Sequence, residues 1–245
     1  MSESQQAATE QDVEGPYRGV SESKPIIRLQ GVSKSYWRGS QKLDVLAGID
    51  LEVPERSFEA LMGPSGSGKS TLLNLIAGLD RPTGGVVMVA ETELNRRSEA
   101  ELARWRADNV GFVFQNYNLI PVLTAAENVE LPLLLTRLSG SERKRRAMTA
   151  LKIVGLTERA DHRPDELSGG QMQRVSIARA IVTDPKIIVA DEPTGDLDRE
   201  NADEILDLLE KLNREFEKTI LMVTHDPAAA ERATITRRLD KGTFA

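Results

Sequence analysis

Gly63-Pro64-Ser65-Gly66-Ser67-Gly68-Lys69-Ser70 follows the apolar run Phe58 to Met62 and precedes the helical content of Thr71 to Leu79. The stretch fits G-x-x-x-x-G-K-[ST] between a strand and a helix, the form of a phosphate-binding loop. Glycines let such a loop fold tightly, so that its N–H groups point inward at phosphate oxygens. A helix starting near Lys69 adds the positive end of its dipole. Lys69 supplies a point charge for the β- and γ-phosphates, and the Ser70 hydroxyl is a hard oxygen ligand suited to Mg²⁺.

Downstream, Ile187-Ile188-Val189-Ala190 reads as a buried strand ending in Asp191-Glu192. Two adjacent carboxylates at such a place are costly unless a metal or a catalytic water engages them. Side chains alternate along a strand, so neighbours can take different tasks. Asp191 suits a hold on Mg²⁺, directly or through water, and Glu192 suits accepting a proton from an attacking water. Between loop and acids, Leu167-Ser168-Gly169-Gly170-Gln171 opens a helix as apolar as Val175-Ser176-Ile177-Ala178. Two glycines there answer no evident structural need, and with a serine at the helix start they make a second anion site. Two anion-binding helix starts with one acid pair suggest that one site completes another molecule's pocket.

Around these motifs, helices are expected over 99–108, 141–155 with Ser141 as N-cap, 168–182 and 201–216, and strands over Ile26 to Leu29 and Thr219 to Val223. This alternation favours an α/β fold with a mostly parallel sheet and helices on its faces. The basic run Arg143-Lys144-Arg145-Arg146 is most simply a solvated face. Residues 1–24 are polar and acidic and read as a disordered tail, with one folded domain over 25–245. The 245 residues, 40% of them hydrophobic, suffice for one large domain. There is no cysteine, hence no disulfide framework or thiolate metal site. A net charge of −6 argues against a nucleic-acid coat. No stretch approaches the ~18 consecutive apolar residues of a membrane-spanning helix, and no secretory leader is visible. If this protein acts at a membrane, another chain must supply the spans.

Leu167 to Gln171 spells LSGGQ, and with it the sequence, from about Ile26 to Thr236, resembles the ABC transporter ATPases. The resemblance implies a P-loop NTPase with an N-terminal antiparallel β subdomain and an inserted helical subdomain, roughly 99–182. It implies ATP and Mg²⁺ as ligands, and ATP hydrolysis as the reaction. Tyr36 matches the aromatic that stacks on adenine. Gly63, Pro64, Ser65, Gly66, Ser67, Gly68, Lys69, Ser70 and Thr71 match the phosphate loop. Gln115 matches the glutamine that senses Mg²⁺ and the attacking water. Asp191 and Glu192 match the metal-holding and catalytic acids, and His225 the histidine that contacts the γ-phosphate. Ser168, Gly169, Gly170 and Gln171 match the signature, and Asp198 the loop that crosses the dimer interface. Gly195-Asp196 departs mildly from the Ser-Ala or Gly-Asn of many members. The implied mechanism is a head-to-tail dimer of two copies around two ATP molecules.

Within the family, Val110 to Gln115, Asn118 to Pro121, Glu127 to Pro132 and Ala190 to Gly195 look like the lipoprotein-releasing, macrolide-export and cell-division subfamily. Such a likeness implies a permease with few spans and a large extracytoplasmic domain. It places this chain in the cytoplasm, peripheral on the inner face of the membrane. The rival reading is a soluble ABC ATPase acting on nucleic acid or ribosomes. Ser168 follows Lys69 too closely for a long inserted coiled coil, and the chain carries one ATPase domain, not two. The segment from Gln115 to Pro132 is expected to couple to the permease, with Leu119 and Leu123 on the docking surface.

Overall fold

A computed structural model describes residues 24–244. The acidic stretch before Lys24 lies outside the described residues. The chain opens with two long antiparallel strands, β1 (Pro25–Arg38) and β2 (Gln41–Pro54), followed by β3 (Phe58–Met62) and α1 (Lys69–Ile76). Then come β4 (Gly84–Val89), β5 (Thr92–Glu93), α2 (Glu99–Asn109), β6 (Val110–Val113), α3 (Ala125–Glu130), α4 (Gly140–Ile153) and α5 (Gly169–Ile181). The remainder is β7 (Ile187–Asp191), α6 (Arg199–Arg214), β8 (Thr219–Val223), α7 (Pro227–Glu231), β9 (Ile235–Asp240) and β10 (Thr243–Phe244).

These strands make two sheets. One is antiparallel, in the order β2-β1-β4-β5; the other runs β10-β9-β3-β8-β7-β6. In the second, β9, β3, β8, β7 and β6 are all parallel, and only β10 is antiparallel. Period-two alternation divides the apolar strands between two cores. Ile187, Val189, Leu221 and Val223 face α1 and the antiparallel sheet. Ile188, Ala190, Ile220 and Met222 face the helices α3, α4, α5 and α6. Burial on both faces explains why β7 and β8 read as continuous apolar runs. The fold is the P-loop NTPase α/β fold that the sequence implied.

Local chemistry moves several expected boundaries. Helix α1 ends before Leu79 because Gly78 turns left-handed at φ 66° and its N–H reaches the Leu75 carbonyl. The N-cap of α4 is Ser139, not Ser141: the Ser139 hydroxyl accepts from the Glu142 N–H. Of the basic run in α4, Arg145 and Arg146 pair with Glu142, and Arg143 pairs with Glu130. Leu119 and Leu123 are half-buried, and Leu119 packs on the helical core. The large apolar side chains that reach solvent near Gln115 are instead Ile120, Val122, Leu134 and Leu135.

Candidate nucleotide site

Strand register sets the site. Leu61 pairs with Val223, and Asp191 also pairs with Val223, so three parallel strands end at one level. The loops that follow them form one edge, where ligands of parallel sheets bind. There, Tyr36, Leu43, Val45, Gly63 to Gly66, Gly68 to Thr71, Glu192 and His225 line a cleft of about 760 Å³.

The phosphate loop is held from behind. A Cβ on Gly63 would stand 2.0 Å from the Leu239 carbonyl oxygen, and one on Gly68 would stand 3.0 Å from the Val45 carbonyl oxygen. Backbone packs where a side chain would sit, which is why glycine is required. Lys69 is only 8% exposed, and its ammonium donates to the carbonyls of Gly63 at 2.8 Å and Pro64 at 3.0 Å. Within the loop, the buried Ser67 hydroxyl has no partner among the described residues. A buried cation satisfied only by neutral carbonyls, at the start of α1, is a site that favours an anion.

On the acid side, the Ser70 hydroxyl donates to Asp191 Oδ1 at 3.1 Å. Burial pushes the Asp191 carboxyl above the ordinary carboxylate value and Glu192 adds to this, while the Ser70 hydrogen bond and the Lys69 charge pull it down. Ser70 and Asp191 thus present two hard oxygens together, as Mg²⁺ requires. Glu192 adopts φ 47°, a left-handed conformation uncommon for glutamate. Two backbone bonds hold it there: its N–H donates to Val223 at 3.0 Å, and its carbonyl accepts from Gly195 at 3.1 Å. That turn brings Glu192 Oε2 to 2.9 Å from His225 Nδ1.

The other expected residues stand apart from this cleft. Gln115 donates to Asp196 Oδ1 at 3.0 Å instead of lining it. Ser168 and Gln171 form a reciprocal capping box at the start of α5. Asp198 caps α6, accepting from the Asn201 N–H at 2.9 Å. The two signature glycines also have a structural need that the sequence reading did not find. A Cβ on Gly170 would stand 2.1 Å from Asn201 Oδ1, and one on Gly169 would stand 3.1 Å from the Tyr117 hydroxyl.

The family described as ABC transporter matches residues 46–195. The chain is 50% identical over 205 residues to the uncharacterized ABC transporter ATP-binding protein MJ0796 of Methanocaldococcus jannaschii, covering 82% of this chain and 87% of that one. The chain belongs to the ABC transporter family. The cassette is also 49% identical over 209 residues to the macrolide export ATP-binding/permease protein MacB 1/2 of Paracoccus denitrificans, covering 85% of itself but only 31% of that protein. It matches the dimeric post-hydrolysis structure of the MJ0796 cassette bound to ADP and phosphate with a TM-score of 0.82 and 45% identity, over 89% of this chain and 96% of that one.

Two residues of α5 that the sequence reading passed over tie this cassette together. Gln173 is fully buried, and its amide donates to the carbonyls of Pro193 at 2.6 Å and Phe114 at 3.3 Å. Arg179 donates to the carbonyls of Asn118 and Tyr117, both left-handed residues. The helix behind LSGGQ therefore holds both the residue before Gln115 and the residue after Glu192. A glutamine in LSGGQ-Met172-Gln173 carries no local mark of this, because its partners lie 59 and 20 positions away. Gln173→Met preserves the volume and strands the Pro193 carbonyl in the interior. It should destabilise the cassette by about 1–3 kcal/mol, read as a lower urea midpoint; an unchanged midpoint contradicts this assignment.

Proposed function

We propose that this cassette binds ATP with Mg²⁺ and hydrolyses it in a site completed by a second copy, and that it thereby powers a membrane permease carried on a separate chain. The observation that carries the reading is the convergence, in one cleft, of a buried Lys69 that makes no salt bridge among the described residues and the Glu192–His225 pair, with the Ser70–Asp191 pair beside it. Lys69 and the loop N–H groups take the phosphates, while Tyr36 takes the adenine. Ser70 and Asp191, with Gln115, would hold Mg²⁺, which would supply charge neutralisation for the phosphates. Glu192 accepts the proton of the attacking water, and His225 orients Glu192 and contacts the γ-phosphate. Ser168, Gly169, Gly170 and Gln171 of the second copy close the pocket with a second helix start, and Asp198 lies at the junction. Supporting this division, none of these residues lines the cleft of its own chain.

The permease reading is supported by the relatives' names and by the surface. Among the described residues no helix is long and apolar enough to cross a membrane. Ile120, Val122, Leu134 and Leu135 nonetheless reach solvent close together in sequence, with Leu135 79% exposed. Large apolar side chains left in solvent this way support a partner surface here. It lies downstream of Gln115, so that docking and nucleotide state share one segment. We assign the permease to the type with few spans and a large extracytoplasmic domain, the cassette to the cytoplasmic face of the membrane, and the work to export, lipoprotein release or mechanotransmission. A role on nucleic acid or ribosomes has no observation in its favour.

Two outcomes follow from this reading. Glu192→Gln should retain ATP binding and lose turnover by about 10²–10⁴-fold, measured as steady-state phosphate release beside equilibrium ATP binding. Near-normal turnover excludes Glu192 as the base. Leu134→Ser with Leu135→Ser should leave the melting temperature and ATP affinity near those of the parent but abolish co-purification with the permease. Retained co-purification moves the docking surface elsewhere.

A further inference from the structure

Tyr36 is not a free side chain at the mouth of the cleft. Its hydroxyl donates to Asp80 Oδ2 at 2.7 Å. The other carboxylate oxygen, Oδ1, accepts from the Lys34 ammonium at 2.6 Å. Lys34 is 8% exposed, also donates to the Arg81 carbonyl at 2.7 Å, and stands 4.7 Å from the centroid of the Tyr36 ring. A cation over one face of the ring is an attractive contact in its own right, and it leaves the opposite face for a base.

Asp80 reaches Tyr36 because of how α1 ends. After Ile76 the left-handed Gly78 reverses the chain, and the N–H groups of Leu79 and Asp80 both donate to the Asn74 carbonyl, at 2.8 and 3.2 Å. Asp80 is thereby laid back alongside the helix beside Asn74, which shares a helix face with Thr71 three positions earlier. Thr71 and Tyr36 line the same cleft. The helix whose first turn faces the phosphates thus carries, folded back from its far end, the carboxylate that grips the aromatic.

We propose that Asp80, with Lys34 as its counter-charge, is a positioning residue that fixes the Tyr36 ring as a ready-made adenine platform at a set distance from the phosphate loop. The proposal rests on the reading that Tyr36 stacks on adenine. A platform held in place before the nucleotide arrives loses little side-chain freedom on binding, and this favours affinity without touching the chemical step. The arrangement acts on the base alone, so a ligand with phosphates and no base is indifferent to it.

The test is equilibrium binding of Mg·ATP and, separately, of inorganic tripolyphosphate with Mg²⁺ to the full chain and to Asp80→Asn, Tyr36→Phe, their double variant and Tyr36→Ala. Asp80→Asn and Tyr36→Phe should each weaken ATP by roughly threefold to tenfold and leave tripolyphosphate unchanged. The double variant should lose less than the sum of the two single losses, since Tyr36→Phe deletes the bond that Asp80→Asn reduces to one with a neutral acceptor. If Asp80→Asn melts early, Tyr36→Phe removes that bond without disturbing Lys34 and gives the same reading. Weakened tripolyphosphate binding in Asp80→Asn, additive losses in the double variant, or unchanged ATP affinity in Tyr36→Phe overturns the proposal. Tyr36→Ala separates the two levels. Unchanged ATP affinity there removes the stacking reading itself, whereas a loss there with none in Tyr36→Phe and Asp80→Asn removes only the positioning role.

Discussion

Leu61 and Asp191 stand level with Val223 on β8, the strand between theirs, and the site depends on that register. Parallel strands release their loops at the same edge, so the phosphate loop, the acid pair and the histidine turn meet without any long-range arrangement of their own. A slip of one residue in β7 would turn Asp191 to the opposite face and exchange the two cores. Burial of Ile187 and Val189 on one face, and of Ile188 and Ala190 on the other, forbids that slip. The hydrophobic cores therefore act on function directly: they set the height at which charges are presented.

Above this edge, charge is held out of balance. Among the described residues Lys69 hydrogen-bonds only to carbonyls, the Asp191 carboxyl is raised by burial, and Glu192 sits in a left-handed backbone conformation. Each is a cost, the last of order 1–3 kcal/mol, and in the proposed function each would be relieved or used by a phosphate, a cation or a water. Two further ties keep the surrounding segments in place. Gln173 joins α5 to the segments before Gln115 and after Glu192, and Asp196 occupies the Gln115 amide.

What the sequence disclosed is what is encoded locally. The phosphate loop, its strand and its helix are contiguous, and β3 and β8 match their expected bounds residue for residue. Ser168 as a helix start and Asp191-Glu192 at a strand end are likewise short-range statements. The misses arise where a side chain's task is set by a distant segment. Asp80 reads as a helix stop, yet it holds Tyr36 from 44 positions away. Gly169 and Gly170 read as an anion site alone, yet Tyr117 and Asn201 pack where their Cβ atoms would be. Leu119 and Ile120 are equally apolar in sequence, and only tertiary packing shows that the first turns inward and the second outward.

In the proposed site the phosphate loop of one copy faces the signature helix of another when nucleotide is bound. The chain contains no cysteine, so single thiols can be placed without background. Chains carrying Ser65→Cys and chains carrying Gln171→Cys, mixed and treated with a short bifunctional maleimide, report that contact as a product of twice the chain mass joined between those two positions. A shared site should give such a product with Mg·ATP and little without nucleotide. Absence of the product with ATP, or an equal yield in its absence, contradicts the shared site.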